Sequence, residues 1–393
     1  MIKFYQTDDY KKIKKRITGI GADIASVGLM APKAKTYAVL LEKIKSRDAN
    51  IIKQLMLSAG ADAACAKGVI DCSVEYSDVL LFGTIRQLEY FTKSAAMQTS
   101  VLRKAASAIK RFIDSVENPP SLKCIGENVT CPAIMGILNV TPDSFSDGGK
   151  FFDIADAVSH AKEMIKQGAD IIDIGGESTR PGSAAVDEDE QIRRTVPVIE
   201  AIRKFSDIPI SIDAKKQKVI KAAVTAGANI INDVSAAGEQ ETAEFAASNN
   251  LPIIIMHMKG TPENMQKNPY YDDTVGEITR FLQERIDYLV KTGVKRENII
   301  VDPGIGFGKR LSDNIAIIEN LENLKQLGCP ILIGLSRKRF LGELTGDEVQ
   351  NREAQTLIAN FIAVNHGADI IRVHNVADHV RAKKIYAAIN NLN

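Results

Sequence analysis

No excess of either charge runs along this chain: 50 Lys and Arg stand against 49 Asp and Glu, a formal net charge of +1. That balance excludes an electrostatic footprint for nucleic acid or an anionic membrane, and any attraction for phosphate must come from a few local Arg, Lys and His groups. No apolar run reaches the roughly 18–20 residues that span a bilayer. The first 21 residues carry charges through their middle and no apolar stretch, so they do not read as a secretory signal. Cysteine is scarce and odd in number (Cys65, Cys72, Cys124, Cys131, Cys329). No CxxC pair and no nearby His completes a zinc set, so reduced thiols in a cytoplasmic protein are expected. HExxH is missing as well, which argues against a metal hydrolase. The absence of Trp excludes nothing.

What is present is a repeat. From about residue 131 a short β-branched apolar run is followed by a polar or Gly-rich loop and then by an amphipathic segment of helical period. The runs are AIMGIL (133–138), DIIDIG (170–175), IPISID (208–213), NIINDV (229–234), LPIIIM (251–256), NIIVDP (298–303), CPILIG (329–334) and DIIRVH (369–374). Helices are expected between them, for example over 153–167 and 275–292. Continuous rather than alternating apolar runs indicate strands buried on both faces, as in a parallel sheet under helices. Eight such units match a (β/α)8 TIM barrel, with a doubly wound open sheet as the alternative. Residues 1–125 mix candidate strands (Ile2–Gln6, Tyr37–Leu41, Val79–Phe82) with helices near 8–18, 48–59, 86–97 and 100–116. They read as a small α/β domain, closed by the punctuation Asn118-Pro119-Pro120-Ser121, before a barrel domain at 126–393.

In a TIM barrel the chemistry sits on the loops after the C-terminal strand ends. The unusual polar residues fall there: Asn139, Glu177 to Arg180, Asp213, Asn232-Asp233, His257, Asp302, Ser336-Arg337-Lys338 and Arg372 to His374. Asp213, Asn232 and Asp302 suit a heterocycle with a guanidine-like edge, whose adjacent N–H donors carboxylates accept in pairs; Lys338 suits a ring carbonyl on the same ligand. The plainer reading makes the aspartates caps of the following helices. Arg180, Arg372 and His374 form a second group of donors suited to a diphosphate. Asn139 offers one neutral oxygen, enough for Mg²⁺ only if the ligand's phosphates complete the shell. The plainer reading of His374 is a packed strand-end histidine, and His257 is ambiguous. The stretch 302–309, DPGIGFGK, fails as a phosphate loop because position 310 is Arg rather than Ser or Thr. It reads instead as a turn whose glycines let the backbone pass close to a flat ligand.

On these motifs the chain resembles the dihydropteroate synthases: MGILNVTPDSFSDGG (135–149), DIIDIGGESTRPG (170–182), SID (211–213), IND (231–233), MHMKGTPENMQ (256–266), DPGIGFGK (302–309), GLSRKRFLG (334–342) and RVHNVADH (372–379). The resemblance implies condensation of 6-hydroxymethyl-7,8-dihydropterin pyrophosphate with p-aminobenzoate in folate biosynthesis, with Mg²⁺ as cofactor and a homodimer as assembly. It assigns Asp213, Asn232, Asp302 and Lys338 to the pterin pocket, and Asn139, Arg180, Arg372 and His374 to the pyrophosphate and Mg²⁺ region. Thr179, Pro181, Phe307 and Ser336-Arg337-Lys338 go to the aminobenzoate region. Loops 140–150, with Phe145 and Asp147, and 179–188 correspond to two mobile loops that close over the substrates; Asp147 is counted with Asp213, Lys338, Arg372 and His374 among the catalytic candidates. Three positions depart from the family pattern: Ala214 where a hydroxyl is frequent, Arg339 where a small Ser is frequent, and Asn375 where Asp is common. Competing readings are a methyltetrahydrofolate–corrinoid methyltransferase, a non-catalytic pterin-binding protein, and a second enzyme in the N-terminal region. The STRPG, SRK and RVH motifs argue against the first two, and no motif supports the third.

Overall fold

The computed structural model describes residues 10–141, 154–177, 186–261 and 264–390. The chain divides into two compact units, Met1–Pro119 with Gln326–Gly328, and Pro120–Lys325 with Cys329–Asn393.

The first unit runs α1 (Tyr10–Gly19), α2 (Ile24–Ala34), β1 (Thr36–Lys45), α3 (Ser46–Ser58), β2 (Asp62–Cys65), β3 (Tyr76–Thr84), α4 (Ile85–Ala95) and α5 (Ser100–Glu117). Its sheet has the order β1-β3-β2, with both pairings antiparallel. Alternation in β3 buries Val79 and Leu81 while Phe82 stays exposed, so one face carries the core and the other faces solvent. Helix α4 opens on a capping box, Thr84 with Gln87, which satisfies two otherwise orphaned backbone donors. Helix α5 buries Leu102, Ala106, Ile109 and Ile113, spaced three or four residues apart as a helix seated on a core requires. Each large apolar side chain of that row contributes roughly 1.5–3 kcal/mol of burial. The strand expected at 2–6 lies outside the described residues. Helix α2 and strand β2 were not expected: α2 contains Gly28 and Pro32, and β2 is the short segment DAAC. Both are poor formers in isolation, and β2 exists through its pairing with β3.

The second unit is a barrel of eight parallel strands: β4 (Ala133–Asn139), β5 (Ile171–Gly175), β6 (Ile210–Asp213), β7 (Ile230–Asp233), β8 (Ile253–Met256), β9 (Ile299–Asp302), β10 (Leu332–Ile333) and β11 (Ile370–Val373). All eight apolar runs become strands, in the order β10-β11-β4-β5-β6-β7-β8-β9. A bridge between Val301 and Ile331, with the Val301 N–H donating to the Pro330 carbonyl at 2.9 Å, joins β9 to the segment entering β10. That junction excludes the open doubly wound sheet. Helices α6 (Ile154–Gln167), α7 (Glu188–Arg203), α8 (Gln217–Ala226), α9 (Gln240–Ser248), α10 (Thr274–Thr292), α11 (Leu311–Glu319), α12 (Arg339–Thr345), α13 (Glu353–Asn365) and α14 (Val376–Asn390) follow the strands. Helix α10 shows the local logic: Asp273 caps its start by accepting the Gly276 N–H at 3.0 Å, and Ile278, Leu282, Ile286 and Leu289 form the buried stripe.

The barrel interior is layered. Ala133, Met135, Ile171, Ile230, Ile254, Ile300, Leu332 and Ile370 close its lower end against Leu122 and Ile125. These last two fall in the region expected to be N-terminal, yet they pack in the floor of the barrel. Strand side chains alternate with period two, so the residues two positions further along point to the same interior. They are Ile137, Asp173, Asn232, Met256, Asp302, Gly334 and Arg372. An apolar floor therefore carries a polar layer directly above it, on the C-terminal side where TIM-barrel sites lie.

Candidate active site

Four side chains in and beside that layer bond across the barrel rather than along it. The Arg372 guanidinium on β11 donates to Asp173 on β5 at 2.6 Å and to Asp213 on β6 at 2.9 Å. Asn232 on β7 donates its amide to Asp173 at 3.2 Å. None of these pairs joins neighbouring strands, so each contact spans the interior. Asp173 is fully buried, whereas the Arg372 side chain keeps 22% exposure toward the mouth. Gly175, two positions above Asp173, lies between Asp213 and Asn139: a Cβ there would be in ordinary contact with both, 3.5 Å from the Asp213 Cβ and 3.7 Å from the Asn139 Oδ1. Below them the Ser211 Oγ is buried without a partner, the kind of group that a polar ligand satisfies.

Burial dominates the electrostatics. It pushes the Asp213 carboxyl up to about 7, with Asp173, Asp233 and Glu177 adding to the rise and Arg372 opposing it. Burial alone would lower Arg372, but Asp173 and then Asp213 outweigh it and hold the guanidinium firmly charged. Asp302 is also raised by burial, against the pull of the Gly304 N–H, Lys338, Lys309 and Arg372. The Gly304 N–H donates to Asp302 Oδ1 at 2.7 Å.

Above this layer the loop after β9 carries Phe307, and the Lys338 Nζ lies 4.1 Å from the centroid of its ring. Ser336 Oγ and His374 Nδ1 are 2.9 Å apart, joining the loops after β10 and β11. Asp213 and Arg372 are therefore directly bonded and Asn232 joins them through Asp173, Phe307 and Lys338 form a second contact, and Ser336 and His374 a third. Arg337 points elsewhere. Its backbone is left-handed (φ 57°), its side chain is exposed, and it lies 3.5 Å from Glu353 at the start of α13. Asp147, Thr179, Arg180 and Pro181, with Phe145, lie outside the described residues.

Two groupings need correction. Arg372 was placed with the diphosphate donors, but its guanidinium is engaged by two carboxylates because it shares the interior face with Asp173 and Asp213. The cap reading of the aspartates also fails for Asp213 and Asp233. Helix α8 has Lys216 at its N-cap without a side-chain cap bond, and Asp213 turns inward to Arg372. Asp233 is buried and accepts from the Ser235 and Ala237 N–H groups at 2.7 and 2.9 Å. It holds a loop in which Ala236 and Ala237 both have φ 56°, clamped from α10 by Arg285 on their carbonyls.

The departures from the family pattern land harmlessly. Arg339 is exposed and pairs with Glu343 at 2.7 Å along α12. Asn375 caps α14 by accepting the Asp378 N–H at 3.1 Å. Ala214 is buried, and its N–H donates to the Asn232 carbonyl at 3.1 Å.

Among the described residues no group of three or more His, Cys, Asp or Glu side chains is arranged to hold a metal ion. The half-buried Asn139 amide fits only a hard cation that arrives with most of its oxygen ligands, as Mg²⁺ on a diphosphate does.

Asp173 and Lys309 were missed as site residues by sequence reasoning, and His257 was placed on the rim but left ambiguous. Asp173 carried a usable signal: it stands two positions after the inward Ile171 in an otherwise apolar run. For Lys309 and His257, no local spacing reveals that they meet.

Comparison with known proteins agrees with this geometry. The family model described as Pterin binding enzyme matches residues 135–374. The dihydropteroate synthase of Escherichia coli K12 is 44% identical over 257 residues, covering 65% of this chain and 91% of that protein. A probable bifunctional folylpolyglutamate synthase/dihydropteroate synthase of Haloferax volcanii is 38% identical over 364 residues, covering 89% of this chain. This chain spans only 43% of that archaeal protein. Among solved structures, the Xanthomonas albilineans dihydropteroate synthase in complex with 7,8-dihydropteroate superposes with a TM-score of 0.63 at 42% identity, over 69% of this chain and 99% of that one. The Yersinia pestis enzyme in a sulfonamide drug complex gives 0.64 at 44% identity, over 66% and 95%.

Proposed function

The chain belongs to the dihydropteroate synthase family, and from that membership we propose that the layer built on Asp173, Asp213, Asn232 and Arg372 is the pterin pocket of a transferase that condenses 6-hydroxymethyl-7,8-dihydropterin pyrophosphate with p-aminobenzoate. The observation that carries this reading is the cross-barrel cluster itself, where Asp213 is held at 2.9 Å by Arg372, whose side chain keeps 22% exposure. Asp213, Asn232 and Asp302 accept and donate along the polar edge of the heterocycle, and Lys338 donates to its carbonyl. Phe307, Ser336 and the pair Thr179–Pro181 bound the aromatic amine.

The chemistry follows from charge. The departing bond joins diphosphate to a CH₂ on an electron-rich dihydropterin, so it breaks ahead of attack. Ionised Asp213 stabilises the cationic pterin that results, in a site where preorganised charges act with little solvent screening. His374 and Arg180 receive the diphosphate. Asn139 would hold Mg²⁺, which when bound neutralises the leaving group. The amine of p-aminobenzoate, already nucleophilic near neutral pH, then attacks the carbon beside Phe307, and Asp147 on its loop is the remaining catalytic candidate.

A homodimer is proposed from the later helices: Ile358 and Ile362 on α13, and Ile385 and Ile389 on α14, are 63, 45, 62 and 70% exposed, each pair four residues apart on one helix face. A cytoplasmic setting is proposed with this function, and no described helix is long and apolar enough to cross a membrane. The match to the archaeal bifunctional protein covers 89% of this chain, and so reaches beyond the barrel unit into the N-terminal one. We take the N-terminal unit as an assembly module, which its exposed Ile20, Ile24, Ile70 and Met97 support. The test is pyrophosphate release by the purified protein with Mg²⁺ and the pterin pyrophosphate, with and without p-aminobenzoate. Release that depends on the amine and yields dihydropteroate is expected; pterin binding without turnover would reject the reading.

A further inference from the structure

Lys309 is a lysine that burial should have excluded: it is 4% exposed and, among the described residues, has no carboxylate within hydrogen-bond reach. Its Nζ lies 3.0 Å from the His257 Nδ1, 3.3 Å from the His257 carbonyl and 3.0 Å from the Phe307 carbonyl. The first two contacts belong to the chain leaving β8 and the third to the loop after β9, so one ammonium ties the two segments together. The segments lie against each other because of glycine. Gly304, Gly306 and Gly308 all have positive φ (69, 80 and 64°), and a Cβ on Gly304 or Gly308 would run into the carbonyl of His257 or Lys259. The ring of Phe307, one residue before Gly308, is the one that Lys338 covers.

We propose that Lys309 is a positioning residue for the aromatic-amine subsite, pinning the Phe307 loop through two carbonyls and the neutral imidazole of His257. The proposal rests on the reading that Phe307 bounds that subsite. An ammonium has three donors and no acceptor, so His257 must accept at Nδ1 and carry its proton on Nε2. Its surroundings enforce this state. The ring is buried, meets Phe281 edge-on at 5.0 Å and Tyr271 at 6.0 Å, and is pushed down to about 3 by burial and then by Lys309 and Lys259. The charged groups facing Lys309 are Asp302 from β9 and Asp313 from α11, which favour its proton, and Lys338 and Lys259, which oppose it. Burial outweighs them and brings Lys309 down to about 7. The charge that strengthens the pin is therefore lost across neutral pH.

The experiment compares full-length wild type, Lys309→Met, His257→Phe and Phe307→Ala in steady-state assays. Lys309→Met is expected to raise KM for p-aminobenzoate about tenfold, the loss of one charge-assisted hydrogen bond, with kcat and the pterin KM within about twofold. His257→Phe keeps the ring packing but not the acceptor, and is expected to show the same split. It supplies the reading if Lys309→Met does not fold. In the wild type, KM for p-aminobenzoate should rise from about pH 6 to about pH 8, while the amine's carboxylate stays ionised, and this slope should vanish in Lys309→Met. Equal rises in both KM values, or a slope retained in Lys309→Met, would overturn the proposal. Phe307→Ala separates the two levels: if it leaves the amine KM unchanged, the subsite reading is wrong, whereas a raised amine KM in Phe307→Ala alone rejects the role of Lys309.

Discussion

Asp173→Asn tests the organisation of the site most directly, because it alters no atom count in the barrel and removes one charge from beneath Arg372. Arg372 would keep Asp213 at 2.9 Å but lose the shorter contact of 2.6 Å to a fully buried carboxylate. Stripping one partner from a buried ion pair costs about 3–5 kcal/mol when the other charge is left alone. Here Asp213 remains and Asn keeps an acceptor, so about 2 kcal/mol is the working figure. For a domain of this size that corresponds to a fall in Tm of roughly 4–8 °C. A second readout goes with it. Asp173 is one of the groups that raise Asp213, so its neutralisation lowers the Asp213 pKa from about 7. If ionised Asp213 carries the chemical step, the acid limb of the kcat profile moves to lower pH in Asp173→Asn. A thermal melt and a pH–rate series suffice. A Tm within about 1 °C of wild type, with an unmoved acid limb, would refute the claim that Asp173 organises Arg372 and Asp213.

Three further outcomes are expected. Asp213→Asn should lower kcat by about a hundredfold or more while pterin affinity falls less, measured by single-turnover kinetics against equilibrium binding; equal losses would count against charge stabilisation of a cationic pterin. Gly304→Ala places a Cβ against the His257 carbonyl at a φ of 69° and should cost more than about 3 kcal/mol, seen as insoluble or early-melting protein. His257 is held near 3 against an ordinary 6.5, so its neutral form contributes stability above pH 6.5 that is lost as pH falls toward 3. The gap in Tm between wild type and His257→Phe should therefore narrow from pH 7.5 to pH 5; a constant gap would show that the imidazole does not titrate with unfolding.

The barrel was legible because its signal is repeated: eight β-branched runs, each closed by a polar residue, leave little freedom once parallel pairing and strand alternation are imposed. Asp213, Asn232 and Asp302 were legible for the same reason, as strand-end polar residues. Partnership was not. Arg372 is separated from Asp173 by 199 residues, and nothing local distinguishes a guanidinium facing a diphosphate from one held by two carboxylates. Lys309 and His257 are 52 residues apart and meet only when β8 and β9 pair. In the N-terminal unit, α2 and β2 were missed because their own propensities are weak and tertiary pairing decides them.

Charge balance explains why a carboxylate as deep as Asp173 belongs to a site that must release an anion. Asp173 and Asp213 engage Arg372, and Asp302 feels the pull of Lys338, Lys309 and Arg372. A surplus of positive charge would hold the diphosphate equally well before and after the bond breaks, and uniform binding of that kind does not raise kcat. With Asp173 and Asp213 engaging Arg372, the guanidinium orients the pocket without acting as a free cation toward the leaving group. Asp173→Asn loosens that restraint and removes one negative charge from beneath Arg372. The variant should thus be inhibited by product pyrophosphate several-fold more strongly than wild type, even though it melts earlier, since a partly buried charge acts at a lower effective dielectric than water. A general loosening of the fold would weaken pyrophosphate binding instead, so the direction of the change in the inhibition constant separates electrostatic release from simple damage.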